Sequence, residues 1–102
     1  DDVVDACLMS AASEETNGQV FNLGSREMIS LKDLAELLVE INGGGQYVLR
    51  AFPQDRKRID IGDYYADFSR IRSAVQWEPA VSLRDGLANT ISYYREHLAH
   101  YV

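Results

Sequence analysis

The most concentrated charge in this 102-residue chain is Asp55-Arg56-Lys57-Arg58, three successive cations in a protein whose formal net charge is −6. Guanidinium forks meet phosphate oxygens through paired hydrogen bonds, so two arginines held on one side suit a diphosphate. An extended backbone sends successive side chains to opposite faces. The alternation from Arg56 to Ile61 therefore predicts a short strand, with Ile59 and Ile61 facing the core and Arg56, Arg58 and Asp60 together on the other side. There Asp60 can accept from a ribose or sugar hydroxyl, or pair with an arginine. The plain alternative is a solvated loop. Tyr64-Tyr65 follows, flat faces with hydroxyls that suit a base or a sugar but equally suit packing. Asn22 either satisfies a loop or touches a ligand, and Trp77, beside Glu78-Pro79, reads as a packing residue.

The remaining reactive residues assemble no catalytic set. His97 and His100 are three apart near the C-terminus with no third metal ligand close in sequence, which reads as solvated surface. No Gly-x-Ser-x-Gly elbow occurs. Gly43-Gly44-Gly45 follows a helix, whereas a phosphate-cradling loop precedes one. Cys7 is the only cysteine, so no internal disulfide forms; it reads as a small buried hydrophobe in a reducing, cytoplasmic setting. An acidic chain with a pI near 4.7 is a poor match for nucleic acid or an anionic membrane. No apolar run approaches the roughly 20 residues that span a bilayer.

Several elements must position these residues. Val4, Leu8 and Ala11, with Cys7 beside them, predict a helix over 1–13, and Asn17-Gly18 a turn. Gln19 to Leu23 reads as a strand closed by Gly24-Ser25, and Tyr47 to Phe52 as another interrupted by Pro53. Ser30-Leu31-Lys32-Asp33 resembles a capping box, with Leu31, Leu34, Leu38 and Ile41 following on one helical face until the glycine triplet. Asp67 is placed to cap a short helix over about 69–75, which Trp77-Glu78-Pro79 breaks. Ser82-Leu83-Arg84-Asp85 begins a last helix along Leu83, Leu87, Ile91, Tyr94 and Leu98. About four helices and two or three short strands make an α+β set in one domain over 1–102.

In this order the segments resemble a known family. Asp1-Asp2-Val3-Val4-Asp5-Ala6, Val20-Phe21-Asn22-Leu23-Gly24-Ser25, Tyr65-Ala66-Asp67-Phe68-Ser69-Arg70-Ile71, Gln76-Trp77-Glu78-Pro79 and Val81 to Leu87 are similar, in register, to motifs of the extended short-chain dehydrogenases/reductases, the NAD-dependent epimerases and dehydratases. The resemblance implies a substrate-binding C-terminal region that grips a nucleotide diphosphate-sugar. NAD(P), the glycine fingerprint and the Tyr-x-x-x-Lys catalytic pair are expected in a separate N-terminal Rossmann domain of the parent, a homodimer. Neither motif occurs in this chain, so the resemblance implies no cofactor and no catalytic residue here. The chain opens on Asp1 with a helical pattern starting at once, and is expected to be a piece of a larger polypeptide.

The family's Arg-Pro-Gly-Asp segment contacts the nucleotide. Counted back from Asp67, its Asp falls on Asp60 and its Arg on Lys57, with no Pro-Gly here; the strand-face reading favours Arg56 or Arg58 instead. Gln76 stands where the family usually has Gly, a departure that touches the turn. The expected function is thus the sugar-nucleotide-binding portion of a cytoplasmic epimerase or dehydratase, classed with isomerases and inactive alone. Its substrate-binding residues are Arg56, Lys57, Arg58 and Asp60. The alternatives are a stand-alone protein-interaction module and a non-catalytic nucleotide-binding relative.

Overall fold

Ser30 and Ser82 begin two helices in the same way. Each serine hydroxyl accepts the backbone N–H three residues on (Asp33 at 3.0 Å, Asp85 at 3.1 Å) and donates to that aspartate's carboxylate at 2.7 and 2.6 Å. A donor otherwise orphaned in the first turn is satisfied at both sites, and the carboxylate sits where the helix dipole favours negative charge. Asp67 does the equivalent for a third helix, accepting from Ser69 N–H at 2.8 Å.

The computed structural model describes residues 1–58, 60 and 62–102. It contains α1 (Asp2–Ala11), α2 (Leu31–Asn42), α3 (Gln54–Lys57), α4 (Ser69–Val75) and α5 (Leu83–His97), with short 3-10 turns at Glu14–Thr16 and Leu98–His100. The chain forms two compact units, one from Asp1–Met28 with Asp63–Val81, the other from Ile29–Gly62 with Ser82–Val102. No helix of the described residues is long and apolar enough to cross a membrane.

The expected α+β class is wrong: among the described residues there is no strand. Residues 19–24 show the period-two burial of a strand, with Phe21 and Leu23 turned toward the core and Val20 and Asn22 exposed. A strand also needs a neighbouring ladder, and here the Val20 carbonyl is taken by the Arg70 guanidinium at 3.1 Å. Residues 47–52 likewise form no strand; Val48, Leu49 and Phe52 are more than half exposed. The strand expected over 56–61 is replaced at its start by α3. Pro53 sits at the helix boundary, where its missing N–H costs nothing, and its carbonyl accepts from Lys57 N–H at 3.0 Å. The inward placing of Ile59 and Ile61 lies outside the described residues.

The first unit holds every fully buried residue described: Ala6, Phe68, Ile71 and Trp77, with Phe21, Leu23 and Val75 packed against them. Phe68 and Trp77 meet edge to face with centroids 6.0 Å apart, a favoured aromatic geometry. Trp77 is thus a packing residue, as its sequence context suggested. Gly24 touches residue 66 so closely that a Cβ there would lie 2.3 Å from the Ala66 Cβ. Cys7 is exposed, against expectation, because α1 buries the face of Ala6 instead.

In the second unit α2 packs on α5. Leu34, Leu37 and Ile41 are half-buried, as are Leu83, Leu87 and Ile91; Leu31 and Leu98 at the ends of the predicted stripes are exposed. Gly43, at φ 73°, supplies the left-handed C-cap of α2.

Gln76 ends α4 in the same left-handed conformation, at φ 59° and ψ 24°, and is the one non-glycine residue with positive φ among those described. The sequence-level departure at this turn is therefore a strained one, since an L side chain there costs about 1 kcal/mol or more. Gln76→Gly is expected to raise the stability of the fold by about 1 kcal/mol, read from the urea midpoint. Gly24→Ala is expected to lower that midpoint, because two backbone segments must separate to admit the methyl group.

Candidate anion-binding site

The second unit carries seven cations and seven carboxylates, the first only three arginines against nine carboxylates. All the net negative charge therefore resides in the first unit, and the basic run belongs to the balanced one.

Within that balanced unit the partners are unevenly shared. Arg84 pairs with Glu40 at 2.7 Å, and Lys32 with Glu36 at 3.6 Å. Arg95 donates to the carbonyl and side-chain oxygens of Asn42 at 2.7 and 2.8 Å. In the first unit Arg26 and Arg72 both reach Glu78, and Arg70 binds Gln19 and the Val20 carbonyl. Among the described residues, Arg50, Arg56, Lys57 and Arg58 alone of the Arg and Lys side chains make no ion pair or side-chain hydrogen bond. All four are exposed.

Arg56 and Lys57 lie in the last turn of α3 and Arg58 caps it. The backbone continues one further helical turn, with Asp60 N–H donating to the Arg56 carbonyl at 3.1 Å. Residues two apart on a helical turn diverge, while those three or four apart are neighbours. The strand-face pairing of Arg56 with Arg58 is therefore overturned; Arg56 and Lys57 are the cations in register with Asp60. Arg50 was missed by sequence reading because it stands outside the triplet. The signal that identifies it is structural, the lack of a partner.

The segment bearing Arg50 is tied down by Tyr47, whose hydroxyl donates to Glu36 of α2 at 2.5 Å. This bond favours the neutral phenol, and with desolvation and the charges of Glu36 and Asp33 it raises the Tyr47 pKa above its ordinary 10.0. Asp67, in the other unit, moves the opposite way. The Ser69 backbone N–H, then the Ser69 hydroxyl and Arg72, hold its carboxyl below the usual value, against a small opposing effect of desolvation.

The other candidates are less favourable. Tyr64 and Tyr65 are 69 and 65 % exposed, so the packing reading does not hold for them. His97 stacks on Tyr93 with centroids 4.3 Å apart, its Nδ1 2.9 Å from the Tyr93 carbonyl. No group of three metal-ligating side chains occurs among the described residues.

Because the Tyr47 pKa is raised on folding, the bond to Glu36 contributes fully below the unfolded phenol value and is lost as pH rises through the folded one. Titrating the Tyr47 phenol by NMR should give a midpoint above 10.0, returning toward that value in Glu36→Gln.

No protein-family model and no solved structure matches the chain. Curated relatives do. A dTDP-glucose 4,6-dehydratase of Streptomyces griseus is 38% identical over 78% of this chain, which covers 24% of that protein. A putative GDP-L-fucose synthase 2 of Arabidopsis thaliana is 31% identical over 96% of the chain and 28% of its own length. A UDP-N-acetyl-alpha-D-glucosaminuronate decarboxylase of Bacillus cytotoxicus is 25% identical over 93% of the chain and 30% of its own length. The chain thus spans only about a quarter of the curated relatives it matches. Aligned along most of its own length with enzymes of nucleotide-linked sugars, it belongs to the extended short-chain dehydrogenase/reductase family, as a C-terminal portion of such a protein.

Proposed function

We propose that this chain is the portion of a sugar-nucleotide-modifying enzyme that holds the phosphates of its nucleotide diphosphate-sugar. The observation that carries this reading is the four-cation stretch at Arg50, Arg56, Lys57 and Arg58, unpartnered in a chain whose other Arg and Lys side chains all have partners. Unsatisfied guanidinium and ammonium donors are what a diphosphate needs, and a charged hydrogen bond contributes about 1.5–3 kcal/mol. Asp60, one turn beyond Arg56, is placed to accept from a hydroxyl of the same ligand. The printed names of the relatives, spanning dTDP-, GDP- and UDP-sugars, point to the shared nucleotide diphosphate rather than to one base or sugar. They also include a dehydratase and a decarboxylase, so the reading extends to sugar modification and not to isomerisation in particular. A single exposed thiol, Cys7, suits a reducing, cytoplasmic compartment.

The described residues do not fit a nicotinamide dinucleotide. The glycine run lies at the C-terminal end of α2, where carbonyls repel a pyrophosphate. The N-termini of α2, α4 and α5 are each occupied by the chain's own serine or aspartate oxygens. The hydride-transferring cofactor is therefore assigned to the rest of the full-length enzyme. What this chain supplies is binding energy from the remote nucleotide, which positions the sugar for chemistry elsewhere.

In the full-length enzyme, Arg50→Ala, Arg56→Ala, Lys57→Ala and Arg58→Ala are each expected to raise KM for the sugar nucleotide about tenfold with kcat little changed, the mark of lost ground-state binding. If none of the four moves KM, the stretch is an ordinary solvated loop. Calorimetry on the 102-residue chain alone should show weak or no binding, because partial contacts must still offset lost translational freedom. Micromolar binding would show that this portion is a complete site by itself.

A further inference from the structure

α1 is mounted with its apolar side toward water. Its buried residue is Ala6, with Asp2 and Ser10, four positions to either side, half-buried on the same face. At 3.6 residues per turn, Val4, Leu8 and Ala11 lie on the side opposite Ala6. Val4 and Leu8 are 58 and 63 % exposed there, and Ala11 is exposed beside them.

The helix cannot simply roll to hide this face. The Trp77 indole N–H donates to the Asp2 carbonyl at 2.9 Å, and the Asp2 carboxylate accepts the backbone N–H groups of Ala80 and Val81 at 3.2 and 3.1 Å. Turning α1 by half a revolution would break all three bonds and withdraw Ala6 from the core. A helix held by its polar and small residues, with its apolar stripe outward, is half of a packing arrangement.

We propose that the Val4–Leu8–Ala11 face of α1 is the seat for the part of the full-length protein that precedes Asp1. Two considerations select this occupant. The chain covers 24% of its Streptomyces relative, so most of a homologous polypeptide is available to pack there. The face is also too small to hold a separate molecule. Ten residues of helix make a strip about 15 Å long and about 10 Å wide, against about 800 Å² per partner in a stable dimer. Segments of one chain meet without the translational cost of association, so a strip of that size suffices for them. This inference is independent of the nucleotide-binding reading.

The test uses the full-length protein, with Cys7 as a reporter, since it lies beside Val4 on the outward half of α1 and is a free thiol. Alkylation of Cys7 by iodoacetamide, followed by peptide mass spectrometry, is expected to be at least tenfold slower in the folded full-length protein than in urea. Leu8→Glu should restore fast labelling and lower the thermal midpoint by several degrees; Val4→Thr, a gentler change, covers the case in which Leu8→Glu does not fold. Labelling as fast in the folded protein as in urea would overturn the proposal. So would labelling that accelerates on dilution, which would show a second copy of the chain as the occupant.

Discussion

Asp2 is the residue on which the first unit depends. Its carbonyl receives the Trp77 indole and its carboxylate receives the two N–H groups that follow Pro79, so the start of α1 is bound to chain 75 to 79 residues later. Trp77 is 3 % exposed, and burying so large an aromatic is favourable only when its N–H finds an acceptor. The bond to Asp2 meets that condition. It fixes the azimuth of α1, places Ala6 against Phe68 and Ile71, and leaves Val4 and Leu8 outward. Asp1-Asp2 looked in sequence like favourable charge at a helix N-terminus; in the structure Asp2 is a long-range clamp.

The second unit is organised differently, without a fully buried residue among those described. Its helices α2 and α5 share half-buried aliphatic faces and are pinned at one end by Arg95 on Asn42 and in the middle by Arg84 on Glu40. Exposed ion pairs contribute little individually, so this pairing rests on the apolar seam, with the polar contacts setting register.

The elements legible in the sequence were those governed by local chemistry. Ser30 with Asp33, Ser82 with Asp85, and Asp67 with Ser69 bond within three residues of each other, and all three helix starts were readable. The turn at Gly43 and the break after Gln76 are also local. Strands were misread because pairing is not local: Gln19 to Leu23 has the right alternation, but nothing in the sequence says whether a neighbour lies alongside. The buried face of α1 was misread for the same reason. Its apolar stripe is plain, yet which stripe meets the core is decided by Trp77 and Ala80, more than seventy residues away. At the candidate site, the basic triplet was visible from charge alone. Its helical rather than extended backbone was not, because Pro53 was read as a strand breaker when it is the boundary residue of α3. That change alters which cations lie near Asp60.

The cationic stretch arises from allocation rather than excess. Cations and carboxylates are equal in number in the second unit, so uniform pairing would leave nothing to attract an anion. The carboxylates are committed elsewhere: Asp33 and Asp85 to the serine caps, Glu36 to Lys32 and Tyr47, Glu40 to Arg84. These commitments all serve α2 and α5. Arg50, Arg56, Lys57 and Arg58 are left facing only Asp55 and Asp60, both within their own segment. A balanced unit thereby presents a locally basic surface, while the protein as a whole stays acidic enough to disfavour nucleic acid. Such a surface can select a small, highly charged ligand, because at physiological ionic strength charges beyond about 8 Å are largely screened and only the local arrangement is felt.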